Sequence, residues 1–346
     1  MVTDMPPEDH EIFNLGSITL QRGGVLDECK LAFRTYGRLN ATKSNAILFP
    51  TWYAARHTQN EWLIGEGRPL DTRRWFVVVP NMLANGLSSS PSNTPPPCDR
   101  VRFPSVTIYD NVMLQRRLLL ERFGIERLAL VIGRSMGALQ TFQWGCLFPD
   151  AVERIMPFNG AARVSRHNYV FIAGLKAALT ADAAWEGGDY RTAPVLGIKA
   201  FGRIYAGWMF SQAWYREELY RLECQGTLED FLEQQWDSKF AQHDANNLLT
   251  QLDTWQCADI SANSVFNGNF DRALGAIRAR AIVMPSRSDL YFTPEDSAYE
   301  VARMPHAEVR VVPSIWGHRA GGPSSPPEDI AFVEAAVREL LNAGAP

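Results

Sequence analysis

The stretch that decides the fold is LALVIGRSMG, residues 128–137. Its apolar first half predicts a buried strand, and the two glycines that follow predict a sharp turn. A helical stretch, residues 138–148, comes after the turn and stops before Pro149. A strand, a tight turn and a helix in this order indicate one unit of a parallel α/β sheet, with Ser135 at the turn.

Short runs of β-branched or aromatic residues predict further strands on both sides of this unit. These predicted strands cover residues 29–36, 46–49, 75–79, 152–158, 281–284 and 309–312. Helical spacing of apolar residues predicts helices over 110–123 and over 327–342. The alternation predicts an α/β fold with a mostly parallel, doubly wound sheet. Active sites of such sheets lie beyond the carboxyl ends of the strands.

The alternation of strands and helices stops after residue 158 and resumes only at residue 281. Residues 185–255 within this interval hold thirteen aromatic side chains. A helical lid over a substrate cleft, or a dimer surface, would use such rings, because they supply apolar area at low entropic cost. Aromatics that pack helices into a second core are the plainer alternative, and the two are compatible. We predict a core domain of residues 1–164 and 266–346, and a helical lid domain of residues 165–265.

Composition and charge exclude several classes of protein. The chain has 346 residues, with 34 Lys and Arg against 38 Asp and Glu, a net charge of −4. Nucleic acids and anionic membranes are disfavoured as main partners, because both require a basic excess. No apolar run is long enough to cross a bilayer, and the acidic start, with Pro6 and Pro7, lacks the pattern of a secretory signal. A cytoplasmic location is therefore expected.

Neither cysteine chemistry nor a nucleotide motif is indicated. The five cysteines are odd in number, lie far apart and form no C-x-x-C pair, so we expect reduced thiols rather than disulfides or a metal site. Gly65-Glu66-Gly67 lacks the third glycine of a dinucleotide fingerprint, and neither GxxxxGK[ST] nor HExxH occurs. No cofactor and no metal ion are expected.

Residues 133–137 match the motif G-x-S-x-G. Chance alone produces such a pentapeptide in roughly one chain in ten of this length, so the motif is weak by itself. Its place between a strand and a helix is the setting of a nucleophile elbow, in which small neighbours let a strained serine project from the sheet. We therefore predict Ser135 as a nucleophile, against the alternative of a structural glycine-rich turn.

A serine nucleophile needs a base and a carboxylate that orients the base. Among the six histidines, His318 fits best, because it lies in a glycine-rich loop just past the strand at 309–312. His306 precedes that strand, on the wrong side of the sheet. His10 lies near the start of the chain, and His167 and His243 lie at positions better suited to a helix surface or a cap; His57 is the remaining histidine.

Asp289 follows the strand at 281–284 and is predicted as the acid of the triad. Glu295 and Asp296 lie further on, at a helix start where acidic residues complement the helix dipole. Ser135, Asp289 and His318 thus appear in the chain order of an α/β-hydrolase.

A tetrahedral intermediate needs two N–H donors for its oxyanion. The backbone N–H of Met136, directly after the nucleophile, is predicted as one donor. The other is expected from the loop after the strand at 46–49. We select the N–H of Trp52, with the N–H of Tyr53 as the alternative one residue away.

Four further stretches resemble the homoserine O-acetyltransferase family of α/β-hydrolases. They are residues 31–37, 70–78, 103–110 and 124–137, and the similarity extends over roughly residues 15–340. The resemblance implies a Ser, Asp, His triad, an acyl-enzyme on the serine, a helical lid inserted after the sixth strand, and a homodimer formed through that lid.

Departures from the transferase pattern indicate the esterase-type branch of this family. Arg319 stands where transferases have an aspartate for the amino group of homoserine. Lys176 aligns with the arginine that binds the homoserine carboxylate, and Arg134 and Ala138 replace glycines of the elbow. A cation at residue 319 would repel an ammonium group rather than pair with it.

The sequence therefore predicts a serine carboxylesterase that hydrolyses short-chain, acetyl-type esters. Its small-molecule substrate is expected in an apolar pocket made by the lid aromatics and Trp52, which favours uncharged esters. Tyr53, Arg134, Lys176 and Arg319 are predicted substrate contacts. The alternative is an acetyl-CoA-dependent O-acetyltransferase with homoserine or another hydroxyl acceptor. A binding protein without catalysis is a third possibility, which predicts that a triad member is missing.

Overall fold

One mixed β-sheet forms the centre of the computed structural model, which describes residues 10–343 of the chain. The strands are β1 (Glu11–Thr19), β2 (Val25–Tyr36), β3 (Ala46–Leu48), β4 (Phe76–Pro80), β5 (Leu130–Arg134), β6 (Arg154–Phe158), β7 (Arg280–Val283) and β8 (Ala307–Val309). Their order in the sheet is β1-β2-β4-β3-β5-β6-β7-β8. The pairs β1–β2 and β2–β4 are antiparallel and the remaining pairs are parallel. The predicted fold, a mostly parallel α/β sheet with a helical insertion, is confirmed.

The helices cover the sheet and form the insertion. They are α1 (Ile108–Arg117), α2 (Met136–Leu147), α3 (Arg166–Thr180), α4 (Val195–Met209), α5 (Gln212–Arg216), α6 (Leu228–Phe231), α7 (Ser238–Phe240), α8 (Ala245–Gln256), α9 (Phe270–Gly275), α10 (Pro294–Val301) and α11 (Pro327–Asn342). None of the helices in residues 10–343 is long and apolar enough to span a bilayer. Pro6 and Pro7, at the start of the chain, lie outside the described residues.

The strand β1 was not expected from the sequence. Most of its side chains are exposed, and only Leu15 is buried, so the strand carries little apolar pattern. Antiparallel pairing with β2 holds it at the sheet edge. Its backbone hydrogen bonds define it more than its side chains do.

The topology places two loops side by side at the carboxyl ends of β3 and β5. From β3 the chain moves outward to β4 and then returns to the other side of β3 as β5. A crevice opens where the strand order reverses in this way. The loop after β3 carries Trp52 and Tyr53, and the loop after β5 carries Ser135. The predicted oxyanion loop and the predicted nucleophile are thus neighbours.

The helices α3–α8, which we call the helical insertion, follow β6 and precede β7. Some aromatic residues of the insertion pack a second core, and others line a cleft, so the two interpretations of these residues are compatible. Phe201, Phe210, Trp214 and Phe231 are fully buried and pack against other rings of the insertion. Trp255 is buried against Tyr53, Tyr291 and Phe292 of the core. Tyr205, Trp236 and Phe240 instead line a cavity above the sheet. The domain boundaries at residues 165 and 265 stay a prediction.

Candidate active site

Ser135 lies in a strained turn between β5 and α2. Its backbone has φ 54° and ψ −124°, a region that a residue with a side chain rarely adopts. The flanking glycines are required by space. A Cβ on Gly133 would come within 2.1 Å of the carbonyl oxygen of Gly137, and a Cβ on Gly137 within 2.8 Å of the carbonyl oxygen of Pro50. The turn therefore tolerates no side chain at residues 133 and 137, the two glycine positions of the elbow motif.

The structure brings Ser135, His318 and Asp289 together although they are far apart in the chain. The distance from Ser135 Oγ to His318 Nε2 is 2.9 Å, and that from His318 Nδ1 to Asp289 Oδ2 is 2.6 Å. With the proton on Nδ1, the imidazole donates to Asp289, and Nε2 accepts from the serine hydroxyl. All three residues are buried, at 4% exposure or less. These are the distances that an activated serine requires.

Surrounding groups hold the acid and the base in place. The backbone N–H groups of Tyr291 and Phe292 donate to Asp289 Oδ1 at 3.0 and 3.2 Å. The ring of Tyr291 packs on that of His318, with 4.3 Å between ring centroids. Burial lowers the pKa of His318, Asp289 opposes this shift, and the charge of Arg134 adds to it. A lowered pKa keeps the imidazole neutral at neutral pH, which is the form that can accept the serine proton.

The backbone of His318 is held by two side chains from neighbouring strands. Arg134 Nη2 donates to the His318 carbonyl oxygen at 2.6 Å. Asn159 Nδ2 donates to the same oxygen at 3.2 Å and to the carbonyl oxygen of Ala320 at 2.7 Å. Sequence reasoning missed Asn159. Its position directly after β6, at the carboxyl end of the sheet, is the signal that could have identified it.

Two N–H groups of the loop after β3 remain available for an oxyanion. The N–H of Thr51 donates to Pro80 at 3.2 Å, and the N–H of Ala54 donates to Gln251 Oε1 at 2.8 Å. Trp52 and Tyr53 lie between them, and neither N–H has an acceptor among the described residues. Both stay candidates, together with the N–H of Met136 in the first turn of α2.

A cavity of about 170 Å³ opens at Ser135 and His318. One wall is aromatic, as predicted, with Trp52 and rings from the helical insertion. The prediction of an apolar pocket is nevertheless wrong, because four charged residues share the lining: Arg134, Glu223, Lys239 and Arg319. Two of them, Glu223 and Lys239, come from the insertion, and no local pattern relates them to the triad.

Three of the four predicted substrate contacts line this cavity, namely Tyr53, Arg134 and Arg319. Lys176 does not, which corrects the prediction. Its ammonium group forms an ion pair with Asp253 and donates to Gln256 Oε1 at 3.2 Å. Both partners belong to α8, so the face of α3 that carries Lys176 is turned toward α8 rather than toward the cavity.

Arg319 is neutralised by a partner that sequence reasoning missed. Its Nη1 lies 2.6 and 2.8 Å from the two carboxylate oxygens of Glu223. The guanidinium also lies 5.3 Å from the ring centroid of Phe210.

Residues 10–343 contain no group of three His, Cys, Asp or Glu side chains arranged to hold a metal ion.

A buried carboxyl group, Glu300 on α10, contacts the segment that follows β6. Its Oε1 accepts from the N–H of Ala162 at 2.7 Å, while Oε2 has no partner among the described residues. Burial is the main cause that raises the pKa of Glu300 from 4.5 to about 8. The neutral acid is therefore the form that the fold accommodates.

The raised pKa of Glu300 predicts that the protein becomes less stable as the pH rises. The unfolded chain releases the proton of Glu300 near pH 4.5, whereas the folded chain retains it to about pH 8. Between these values the free energy of unfolding falls, by up to about 5 kcal/mol in total. We expect Glu300→Gln to remove this slope in urea unfolding curves measured from about pH 5 to about pH 9. Glu295→Gln, an exposed site on the same helix, is the control; equal slopes in all three proteins would contradict the prediction.

Comparisons with known proteins agree with this geometry. A family described as having the alpha/beta hydrolase fold matches residues 47–318. An ethyl acetate hydrolase of Pseudomonas veronii is 38% identical, over 97% of this chain and 96% of the relative. The crystal structure of an acetylester hydrolase from Corynebacterium glutamicum has a TM-score of 0.93 at 36% identity, covering 96% of each chain. A homoserine O-acetyltransferase of Chlorobaculum parvum is 30% identical, over 87% of both chains.

Proposed function

The chain belongs to the α/β-hydrolase family, in the branch that also contains acetyl esterases and homoserine O-acetyltransferases, and we propose that it hydrolyses acetyl esters of short alcohols. The predicted family and its esterase-type branch are thereby confirmed. The similarity to an ethyl acetate hydrolase covers nearly the whole chain of both proteins. A transferase relative is less similar, at 30% identity.

The observation that carries the proposal is the hydrogen-bonded chain from Asp289 through His318 to Ser135, at the floor of a small cavity. Such a chain lets a serine hydroxyl attack an ester carbonyl at neutral pH. A volume of about 170 Å³ lies below the range of roughly 300–1,000 Å³ that drug-sized ligands occupy. The small volume favours an acetyl group and a short alcohol over a long acyl chain.

In the proposed mechanism, His318 Nε2 takes the hydroxyl proton as Ser135 Oγ attacks the ester carbonyl. The oxyanion accepts hydrogen bonds from the N–H of Met136 and from the N–H of Trp52 or Tyr53. His318 then returns the proton to the alcohol oxygen, the C–O bond to the alcohol breaks, and an acetyl-enzyme remains. Water, deprotonated by the same imidazole, attacks the acetyl carbon; the bond from this carbon to Ser135 Oγ breaks, His318 returns the proton to Oγ, and acetate leaves.

The hydrolase is favoured over the transferase by the groups near His318. Arg319 follows the base and is paired with Glu223 in the cavity lining. No carboxylate of the described lining remains free for the ammonium group of homoserine. Lys176, which aligns with the carboxylate-binding arginine of transferases, lies outside the lining.

A paired assay tests which acceptor takes the acetyl group. We expect purified enzyme to hydrolyse ethyl acetate in a pH-stat at a rate that added homoserine does not change. Release of CoA from acetyl-CoA should stay at least about 100-fold slower, because the charged cavity has no room for a large thioester beyond its acetyl end. Homoserine-dependent release of CoA that exceeds ester hydrolysis would instead establish the transferase.

We also propose a homodimer that forms through the helical insertion. Exposed apolar side chains on its outer surface support this, among them Val170 and Leu196, at 65% and 75% exposure. A cytoplasmic location stays a prediction from the sequence. Sedimentation equilibrium of the purified chain measures the oligomeric state.

A further inference from the structure

The cavity contains a buried positive charge that forms no ion pair with a carboxylate of the described residues. Arg134 is 7% exposed and lies next to the nucleophile in the cavity lining. Among the described residues, one of its nitrogens, Nη2, donates to the His318 carbonyl oxygen, and Nε is buried without an acceptor. Burial lowers the pKa of this guanidinium to about 10, so it remains charged at neutral pH. Buried charges are ordinarily paired.

A second cation without a carboxylate partner lies further out in the same lining. Lys239 is exposed to solvent and forms no ion pair with any described residue. Surrounding atoms, followed by the charges of Arg319 and Arg134, lower its pKa to about 8. Arg134, Lys239 and Arg319 all line this one cavity.

The nearby carboxylates do not compensate these two cations. Glu223 accepts two hydrogen bonds from Arg319, and Asp289 accepts from His318 and from two backbone N–H groups. The lining therefore carries three cations, Arg134, Lys239 and Arg319, against one carboxylate, Glu223, while Asp289 acts on Arg134 through its charge from outside the lining. This excess of positive charge favours a negatively charged ligand in the cavity.

The position of the base indicates which half of an ester would meet these cations. His318 must protonate the alcohol oxygen as it leaves, so the alcohol lies on the His318 side of the cavity. Arg134 is bonded to the backbone of His318, and Arg319 is the next residue in the chain. The N–H groups proposed for the carbonyl oxygen belong to Met136 and to the loop after β3. The positive charge is thus on the alcohol side.

We propose that the preferred substrates are acetyl esters of small alcohols that carry an anionic group, bound by Arg134 and Lys239. This proposal rests on the ester hydrolysis proposed above and adds the class of alcohol. The anion takes no part in the bond changes; the acetyl group still passes to Ser135 and then to water. Its hydrogen bonds to a guanidinium shielded from solvent strengthen binding of the ester and of the transition state alike.

A pair of substrates matched in size tests the charge preference. 3-Acetoxypropanoate is anionic, whereas 3-acetoxypropanamide has nearly the same shape, no charge and the same single ester. We expect kcat/KM to be at least about tenfold higher for the anion, which corresponds to one charge-assisted hydrogen bond. Raising the salt from about 0.05 M to about 1 M should reduce this ratio. Comparison of kcat/KM for 2-acetoxyethyl phosphate and for 3-acetoxypropanoate shows whether the site prefers a phosphate or a carboxylate. Acetylcholine carries a positive charge and should have the lowest kcat/KM of these esters.

Three variants test which cation causes the preference for the anionic ester. Arg134→Gln should reduce the anion-to-amide ratio to about one, and Lys239→Gln should reduce it about threefold, as expected for a more exposed charge. Lys176→Gln removes a cation outside the cavity and should leave the ratio as in the wild type. The ratio separates binding of an anion from the support that Arg134 gives to His318, because lost support slows both esters equally.

The outcomes are distinct from failure of the proposed function. If neither ester is hydrolysed, the esterase proposal itself fails. If both are hydrolysed with equal kcat/KM in the wild type, the esterase proposal stands and the charge preference is overturned. A preference that persists unchanged in Arg134→Gln and Lys239→Gln would also overturn it. Should Arg134→Gln not fold, the salt dependence of the wild type and Lys239→Gln still decide.

Discussion

Replacing Ser135 with alanine is expected to lower kcat for 4-nitrophenyl acetate by at least about 10³-fold. The substitution removes the only atom to which the acetyl group is proposed to attach. Its cost to folding should be small, because Ser135 Oγ bonds only His318 among the described residues. What activity remains would come from the oxyanion donors and from binding of the ester alone.

Covalent labelling separates loss of the nucleophile from loss of the fold. A fluorophosphonate should add to the wild type at residue 135, as read by mass spectrometry of the peptide, and should not add to Ser135→Ala. Ser324 is another serine in the cavity lining and provides the matched control. Ser324→Ala should label and turn over as the wild type does. Activity of Ser135→Ala within tenfold of the wild type would exclude Ser135 as the nucleophile.

Replacing Asp289 with asparagine is expected to lower kcat/KM by a factor on the order of 10³–10⁴. In the wild type, the Asp289 carboxylate accepts a hydrogen bond from His318 Nδ1 at 2.6 Å. This bond keeps the proton on Nδ1 and leaves Nε2 free to accept the serine proton. An asparagine amide can donate to Nδ1 instead, which moves the proton to Nε2 and prevents this acceptance. Removal of the carboxylate also lowers the pKa of His318 further, because Asp289 is the group that raises it.

The pH profile distinguishes this effect from a change in binding. In the wild type, kcat/KM should rise with pH as His318 loses its proton, and the midpoint of this rise should lie below pH 6.5, because burial lowers the pKa of that residue. In Asp289→Asn the plateau should be far lower, and it should begin at a still lower pH. Asp296→Asn, at the other acid considered after β7, should keep the wild-type profile. A large loss in Asp296→Asn with none in Asp289→Asn would reverse the assignment of the acid.

Much of the sheet and the elbow follows from local pattern. The apolar run before Gly133 can be satisfied only by burial, and the small residues around Ser135 permit a turn that larger side chains would block. The predicted strands agree with β2–β7 to within a few residues, whereas the strand predicted over 309–312 shares only Val309 with β8 (Ala307–Val309). The predicted helix over 110–123 is α1, which ends at Arg117 and continues as a wider turn to Arg122.

The edge strand and the composition of the cavity could not be predicted in the same way. Strand β1 is defined by pairing with β2, and its exposed side chains leave no period to detect. The prediction of an apolar pocket was wrong because Glu223 and Lys239 reach the cavity from the helical insertion. No local sequence pattern indicates how this insertion crosses the sheet. The prediction that Lys176 contacts the substrate was wrong because packing against α8 sets the rotation of α3 and turns Lys176 away from the cavity.

By itself the sequence determined which residues could do chemistry, because strand, turn and helix propensities are properties of nearby residues and the order of Ser135, Asp289 and His318 is read directly along the chain. Only the tertiary structure decided what surrounds them: that Arg134 is buried without a carboxylate, that Glu223 pairs with Arg319, and that Lys176 points elsewhere. The physical reason is that charge balance in a cavity depends on distances between distant segments, and packing of the whole chain sets those distances.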